Sequence, residues 1–183
     1  MVQVDHRTQQ KTIIRIESLP ENLRELAGVC VLEDGDVFHC GGLGPMNSLY
    51  KINPQTRGVE RLPPMPHADG CIVPVEVGGS VYIFTGWYKT SAYRFSLSEK
   101  RWYKLRTPPV SCEDSYTVHC NGHILVSGSS TSAVYEYSLH SNEYRKVFDE
   151  EGVLLRTESG ELFLLSRDKK IYKSSERDWC SWE

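Results

Sequence analysis

VCVLEDGDVFHCGGLGPMNSLY, residues 29–50, is one copy of a pattern that the chain repeats four times. An apolar run is closed by a tight turn holding Gly35. A second apolar run, Val37 to Cys40, ends in glycine, and a third carries Tyr50. The same order returns around Gly78-Gly79, Asn121-Gly122 and Ser159-Gly160, with Tyr93, Tyr135 and Tyr172 following at nearly constant distance. Glycine at such a turn supplies the positive φ that a two-residue hairpin needs. Asp34-Gly35 and its three counterparts therefore predict inner hairpins. These join Val29–Leu32 to Val37–Cys40, Ile72–Val77 to Val81–Phe84, Tyr116–Cys120 to Ile124–Val126, and Val153–Thr157 to Leu162–Leu165.

Outer hairpins are predicted to begin at Ser48–Ile52, Ala92–Phe95, Val134–Tyr137 and Lys170–Tyr172, where apolar and polar residues alternate as on half-buried strands. Each turns into a last strand carrying Val59, Trp102, Tyr144 or Trp179. A period of about forty residues built from short strands marks a β-propeller or a related array. Pro74 falls inside a predicted strand; an innermost edge strand tolerates it, because its missing N–H faces no ladder. Val2 to Pro20 reads like Leu49 to Pro63, as the outer half of a blade whose inner half is not evident. The expected class is all-β: about four to five four-stranded antiparallel blades in an incomplete or irregularly closed ring. The expected organisation is a partial blade and connector over 1–26, in which Pro20 to Leu26 forms a helical turn or a plain loop. Blades then follow at 27–66, 67–109, 110–150 and 151–183, all in one domain.

These residues resemble the kelch repeat family, in which a double glycine closes the second strand, an aromatic sits on the third and a Trp on the fourth. The first repeat is closest, with Gly41-Gly42, Asn53-Pro54-Gln55-Thr56 and Leu62-Pro63-Pro64-Met65-Pro66. The second has Thr85-Gly86, Trp102 and Leu105 to Pro109; the third keeps only Gly128-Ser129, and Ser166-Arg167 stands there in the fourth. The resemblance spans roughly residues 28 to 182 and rests on repetition. Physically, glycine after the second strand is expected where neighbouring blades approach closely, and the aromatics fill the space between twisted sheets.

Composition bounds the function. A formal net charge of -3 and the lack of a basic cluster speak against nucleic acid. No stretch approaches the roughly 20 apolar residues of a membrane span. The polar amino terminus has no signal-peptide core, so a cytoplasmic location is expected. Six scattered cysteines without CxxC spacing read as reduced, buried residues, with Cys112 on a loop the best candidate for a redox sensor. His119-Cys120 and His123 flank one turn, but a structural zinc site wants four ligands and no second cluster completes them. Ser127 to Ser130 matches neither G-x-S-x-G nor a P-loop. Glu113-Asp114 and Asp149-Glu150-Glu151 read as solvated charge. No catalytic constellation, metal site or cofactor is expected.

What remains is the surface. The resemblance implies that loops joining second to third strands, and loops joining blades, emerge on one face that binds partners. By position these are 43–47, 87–90, 129–132 and 167–169, together with 65–70, 107–114 and 148–152. Trp87-Tyr88-Lys89, an aromatic pair beside a cation, has the composition of a binding hot spot; the alternative is that Trp87 packs inward. His67 and Asp69 stand where many relatives carry arginines, and Arg167 completes the candidate contacts. The expected function is non-catalytic binding of a protein or peptide partner. Two other readings remain: a galactose-oxidase-like or sialate-isomerase-like propeller enzyme or sugar-binding module, and the substrate-receptor part of a ubiquitin ligase without its adaptor segment. An open ring also leaves room for self-association through its edges.

Overall fold

The computed structural model describes residues 2–4, 11–13, 16, 27–42, 47–70, 72–85, 89–113, 116–128, 133–157 and 159–175. Among them the chain is all-β, with no helix. Strands β1 (Val2–Val4) and β2 (Lys11–Ile13) pair as a two-stranded sheet, the outer hairpin expected of the partial blade. Four sheets follow in chain order. The first holds β3 (Ala27–Val31), β4 (Val37–Gly41), β5 (Leu49–Ile52) and β6 (Val59–Arg61). The second holds β7 (Val75–Val77), β8 (Ser80–Thr85), β9 (Ser91–Ser96) and β10 (Arg101–Lys104). The third holds β11 (Tyr116–Cys120), β12 (His123–Ser127), β13 (Val134–Ser138) and β14 (Glu143–Phe148). The last holds β15 (Gly152–Arg156), β16 (Glu161–Ser166) and β17 (Ile171–Ser175); the predicted strand at Trp179 lies outside the described residues. Each sheet is an antiparallel meander, and the four stand in a ring as a four-bladed β-propeller that hydrogen bonds do not close.

The turns divide into two kinds. Gly78-Gly79 and Asn121-Gly122 have positive φ at both positions and link directly paired residues, Val77 to Ser80 and Cys120 to His123. They are the predicted two-residue turns. Asp34-Gly35 and Ser159-Gly160 are not. There Gly35 donates to Leu32 O and Leu32 to Asp36 O, and Gly160 and Thr157 repeat the arrangement with Thr157 O and Glu161 O. Only the glycine has positive φ, so both are three-residue turns with a bulge. Strand β7 begins at Val75 rather than Ile72, just past Pro74, which has no N–H to give a ladder.

Strand alternation gives each sheet two faces, and facing pairs make the core. Phe38, Cys40 and Leu49 of the first sheet meet Val81, Ile83 and Phe95 of the second. Phe84, Tyr82 and Ala92 meet Ile124, Val126 and Tyr137 of the third. Val118, Leu125 and Val134 meet Leu154, Leu162 and Leu164 of the last. The last-strand aromatics also stitch blades together: Trp102 Nε1 donates to Pro63 O at 3.1 Å, and Tyr144 OH donates to Arg106 O at 3.1 Å. Each therefore clasps the segment leaving the preceding blade.

The first two blades approach closely at Gly28 on the innermost strand, where a Cβ would stand 2.7 Å from Ile72 O. A Cβ on Gly152 would stand 2.1 Å from Leu165 O of the neighbouring strand in its own sheet. Gly41 and Gly42, which close the second strand of the first blade, both have positive φ.

Candidate functional site

The segment that leaves the first blade is held against the second. Leu62 donates to Leu49 O and Met65 to Asn47 O, Met65 is buried, and Trp102 grips Pro63. His67 follows immediately. Its Nδ1 shares a 3.1 Å hydrogen bond with Tyr93 OH, and the two rings meet edge to face with centroids 5.1 Å apart. Nε2 of His67 is enclosed and has no hydrogen-bond partner among the described residues. Tyr93 in turn packs edge-on against Trp102. The imidazole is thus fixed by one hydrogen bond and a row of aromatic rings.

Three charges surround it. Burial pushes the His67 pKa below its ordinary value; Asp69 pulls it back up, while Lys89 and Lys104 push it further down. The net direction is downward, so imidazole is the favoured form at neutral pH. Asp69 is fully buried, and its Oδ1 accepts the Gly70 N–H at 2.9 Å. It raises the His67 pKa and is itself buried, whereas the sequence offers it as a candidate surface contact. Lys89 is exposed, and its carbonyl accepts the Thr85 hydroxyl at 2.9 Å, which pins the end of the loop between β8 and β9. Lys104 is also exposed and lies opposite Tyr93 in the β9–β10 register. Trp87 and Tyr88 lie outside the described residues.

Arg167 sits elsewhere, at the junction of the third and last blades. It lines an open cleft of about 210 Å³ with Asp149, Glu150, Glu151 and Asp168. Its Nε lies 3.1 Å from Glu151 Oε1, so its charge is answered within the chain. Lys170 pairs with Asp168 at 2.9 Å, which raises the lysine pKa and lowers the aspartate's. The cleft is therefore a polar groove lined by four carboxylates and one guanidinium, with Lys170 paired to Asp168 at its side. The junction shows the same layout as the first: a loop between second and third strands beside the loop joining two blades. Ser127 Oγ accepts the Gly152 N–H at 3.1 Å, closing the base of that arrangement.

The other chemical candidates resolve into packing. His119 and Cys120 point to opposite faces of β11, and Cys120 is buried against the last blade. Cys120 pairs in register with His123, whose Nδ1 lies 3.1 Å from Glu136 Oε1; Arg145 donates to the other carboxylate oxygen at 2.8 Å. Among the described residues no group of three or more His, Cys, Asp and Glu could hold a metal ion. Cys112, the redox candidate, is buried, and desolvation pushes its thiol up to about 12. A thiolate is the reactive form, so this site suppresses it. Among the described residues no helix is long and apolar enough to cross a membrane.

The fold and this surface define a four-bladed β-propeller with a polar, lysine-flanked junction between its first two blades. A scan of protein-family models and a search of curated proteins found no match to the chain.

Proposed function

We propose that the chain is a non-catalytic protein-interaction scaffold of the kelch repeat type, acting in the cytoplasm and binding a protein or peptide at the junction of its first two blades. The supporting observation is that residues from three segments lie within electrostatic reach of one imidazole: Lys89 from the β8–β9 loop and Lys104 from the end of β10 both act on His67 of the blade-joining loop. Two exposed ammonium groups beside a clamped imidazole suit a partner that presents a carboxylate. In sequence Trp87-Tyr88 directly precedes Lys89, and an aromatic pair there suits an apolar anchor next to that carboxylate. Arg167, paired with Glu151 within its own cleft, is not part of this surface.

The test is affinity capture by the intact chain compared with two variants, Trp87→Ala/Tyr88→Ala and Lys89→Glu/Lys104→Glu. The proposal expects the same set of captured proteins to be lost from both while thermal unfolding is unchanged. Capture that persists in both variants removes the junction as the binding site. Saturable sugar binding in calorimetry, or stoichiometric copper in the purified protein, overturns the non-catalytic reading.

A further inference from the structure

Each of the four blades places a charged residue directly after the tyrosine of its third strand: Lys51, Arg94, Glu136 and Lys173. The register makes the four positions equivalent, since they lie opposite Phe38, Tyr82, Leu125 and Phe163 of the second strands. Two residues before each of those, on the same face by strand alternation, stand Asp36, Ser80, His123 and Glu161. In three blades this diagonal neighbour answers the charged residue. Lys51 Nζ lies 3.1 Å from Asp36 Oδ2, His123 Nδ1 lies 3.1 Å from Glu136 Oε1, and Lys173 Nζ lies 2.6 Å from Glu161 Oε1. In the second blade the neighbour is Ser80, which carries no charge.

Arg94 is thereby left without a counter-charge. It is half-buried, its Nε is enclosed with no hydrogen-bond partner, and among the described residues no carboxylate pairs with its guanidinium. What holds it is an aromatic ring: its Cζ lies 4.6 Å from the ring centroid of Tyr103, the residue opposite it on β10. Arg101 lies over the same ring at 5.6 Å; it is exposed and, among the described residues, has no ion pair either. The carboxylate at hand, Glu99, accepts the Tyr103 hydroxyl instead. In the third blade the place of Tyr103 is taken by Arg145, which gives Glu136 a second partner at 2.8 Å. One tyrosine ring thus gathers two guanidiniums that repel each other, and a half-buried charge without a partner is costly. The other blades offset that cost within the chain; the second does not.

We propose that this place binds an oxyanion carried by a side chain of a partner protein, a carboxylate or a phosphate monoester, which supplies the counter-charge that Ser80 does not. A guanidinium fork matches either group with paired N–H donors, and stacking on Tyr103 fixes the plane of the fork. Serine is short enough to leave the room that the Asp36 and Glu161 carboxylates take in their own blades, and its hydroxyl adds a donor. With Arg101 beside it the site offers two positive charges, which favours a phosphate, at about −1.5 to −2 near neutral pH. The site is distinct from the His67 junction. Arg94 and Tyr103 share the face of Ala92 and Leu105, turned to the third blade, whereas Tyr93, Trp102 and Lys104 alternate to the face turned to the first.

The probes are N-acetyl-phosphoserine amide and N-acetyl-glutamate amide, titrated into the full chain at pH 7 with N-acetyl-serine amide as control. NMR follows the Arg94 Nε–H and Ser80 amide resonances. The proposal expects saturable shifts at both with the charged probes and none with the control. Tighter binding of the phosphate assigns the site to phosphorylated partners; equal or tighter binding of the carboxylate assigns it to acidic ones. Ser80→Asp installs in the second blade the counter-charge that the other blades possess, and it should weaken the bound probe about tenfold or more, as the loss of a charge-assisted hydrogen bond implies. Arg94→Gln should do the same, and it carries the comparison alone if Ser80→Asp does not fold. Shifts that do not saturate, or an affinity that either folded variant leaves unchanged, overturn the proposal and reduce Arg94 to a cover for Tyr103.

Discussion

Gly28→Ala tests the packing of one blade on the next with a single methyl group. The added Cβ would stand 2.7 Å from Ile72 O, 2.8 Å from Pro74 Cδ and 2.9 Å from Cys40 Sγ. Two of these belong to the segment entering the second blade, and the carbonyl cannot swing aside as a side-chain tip can. Overpacking a tight site costs about 1–3 kcal/mol. Alanine gains back about 0.5–1 kcal/mol over glycine through the unfolded chain and strand preference. The net expectation is a loss of about 0.5–2 kcal/mol. With a urea dependence of about 1–3 kcal/mol per molar for a small protein, the unfolding midpoint should fall by roughly 0.2–2 M. Adding Cys40→Ala removes only the sulfur contact, so the double variant should not regain the wild-type midpoint. Gly35→Ala is the contrast: its Cβ meets nothing within 4 Å, and any cost there comes from a φ of +83°. A midpoint for Gly28→Ala equal to or above wild type would refute the close approach of the first two blades.

Phe84 is fully buried between Ile124, Tyr137 and Tyr144 of the next blade, so Phe84→Ala should lose about 3–5 kcal/mol in the same assay; a loss under about 1 kcal/mol would contradict the second interface. Burial raises the Cys112 thiol to about 12 and holds Cys40 well above its ordinary value, so at pH 8 iodoacetamide should reach both at the rate of unfolding. Peptide mass mapping with and without urea checks this, and equal labelling rates would count against it. The depressed His67 pKa means that the unfolded chain takes up a proton before the folded one as pH falls through 6.5. Stability should therefore drop from pH 7 towards pH 5, and His67→Gln should flatten that slope; an unaltered slope would show that His67 is not desolvated as described. Burial depresses the His39 pKa too, and His39→Gln should flatten the slope further.

Much of the fold was legible because its signals are local. Gly78-Gly79 and Asn121-Gly122 announce two-residue turns through chain conformation alone. Trp102 and Tyr144 sit on last strands, as their alternation indicates, though only the fold shows that each clasps the previous blade's exit. Asp34-Gly35 looked alike, yet the hydrogen bonds around Leu32 and Asp36 make a longer turn with a bulge. Gly28 was not distinguishable as a contact glycine, since the carbonyl that crowds it belongs to Ile72, forty-four positions away. The site was legible by loop type but not by chemistry. Lys104 carries no motif and reaches the junction only through its register with Tyr93. Asp69 looks like a loop carboxylate, and its burial depends on how the first blade's exit folds over the second. Arg167 has the charge of a contact residue, but Glu151 answers it across the blade junction.

Native-state hydrogen exchange across the four second strands is the most direct test of a single face-to-face array. Strands β4, β8, β12 and β16 carry the most buried positions of their sheets. If the sheets form one packed propeller, their amides share the slowest exchange, and Phe84→Ala lowers the protection of all four together. Loss of protection confined to β8 and β12, with β4 and β16 unmoved, would contradict it and show blades that fold as separate units.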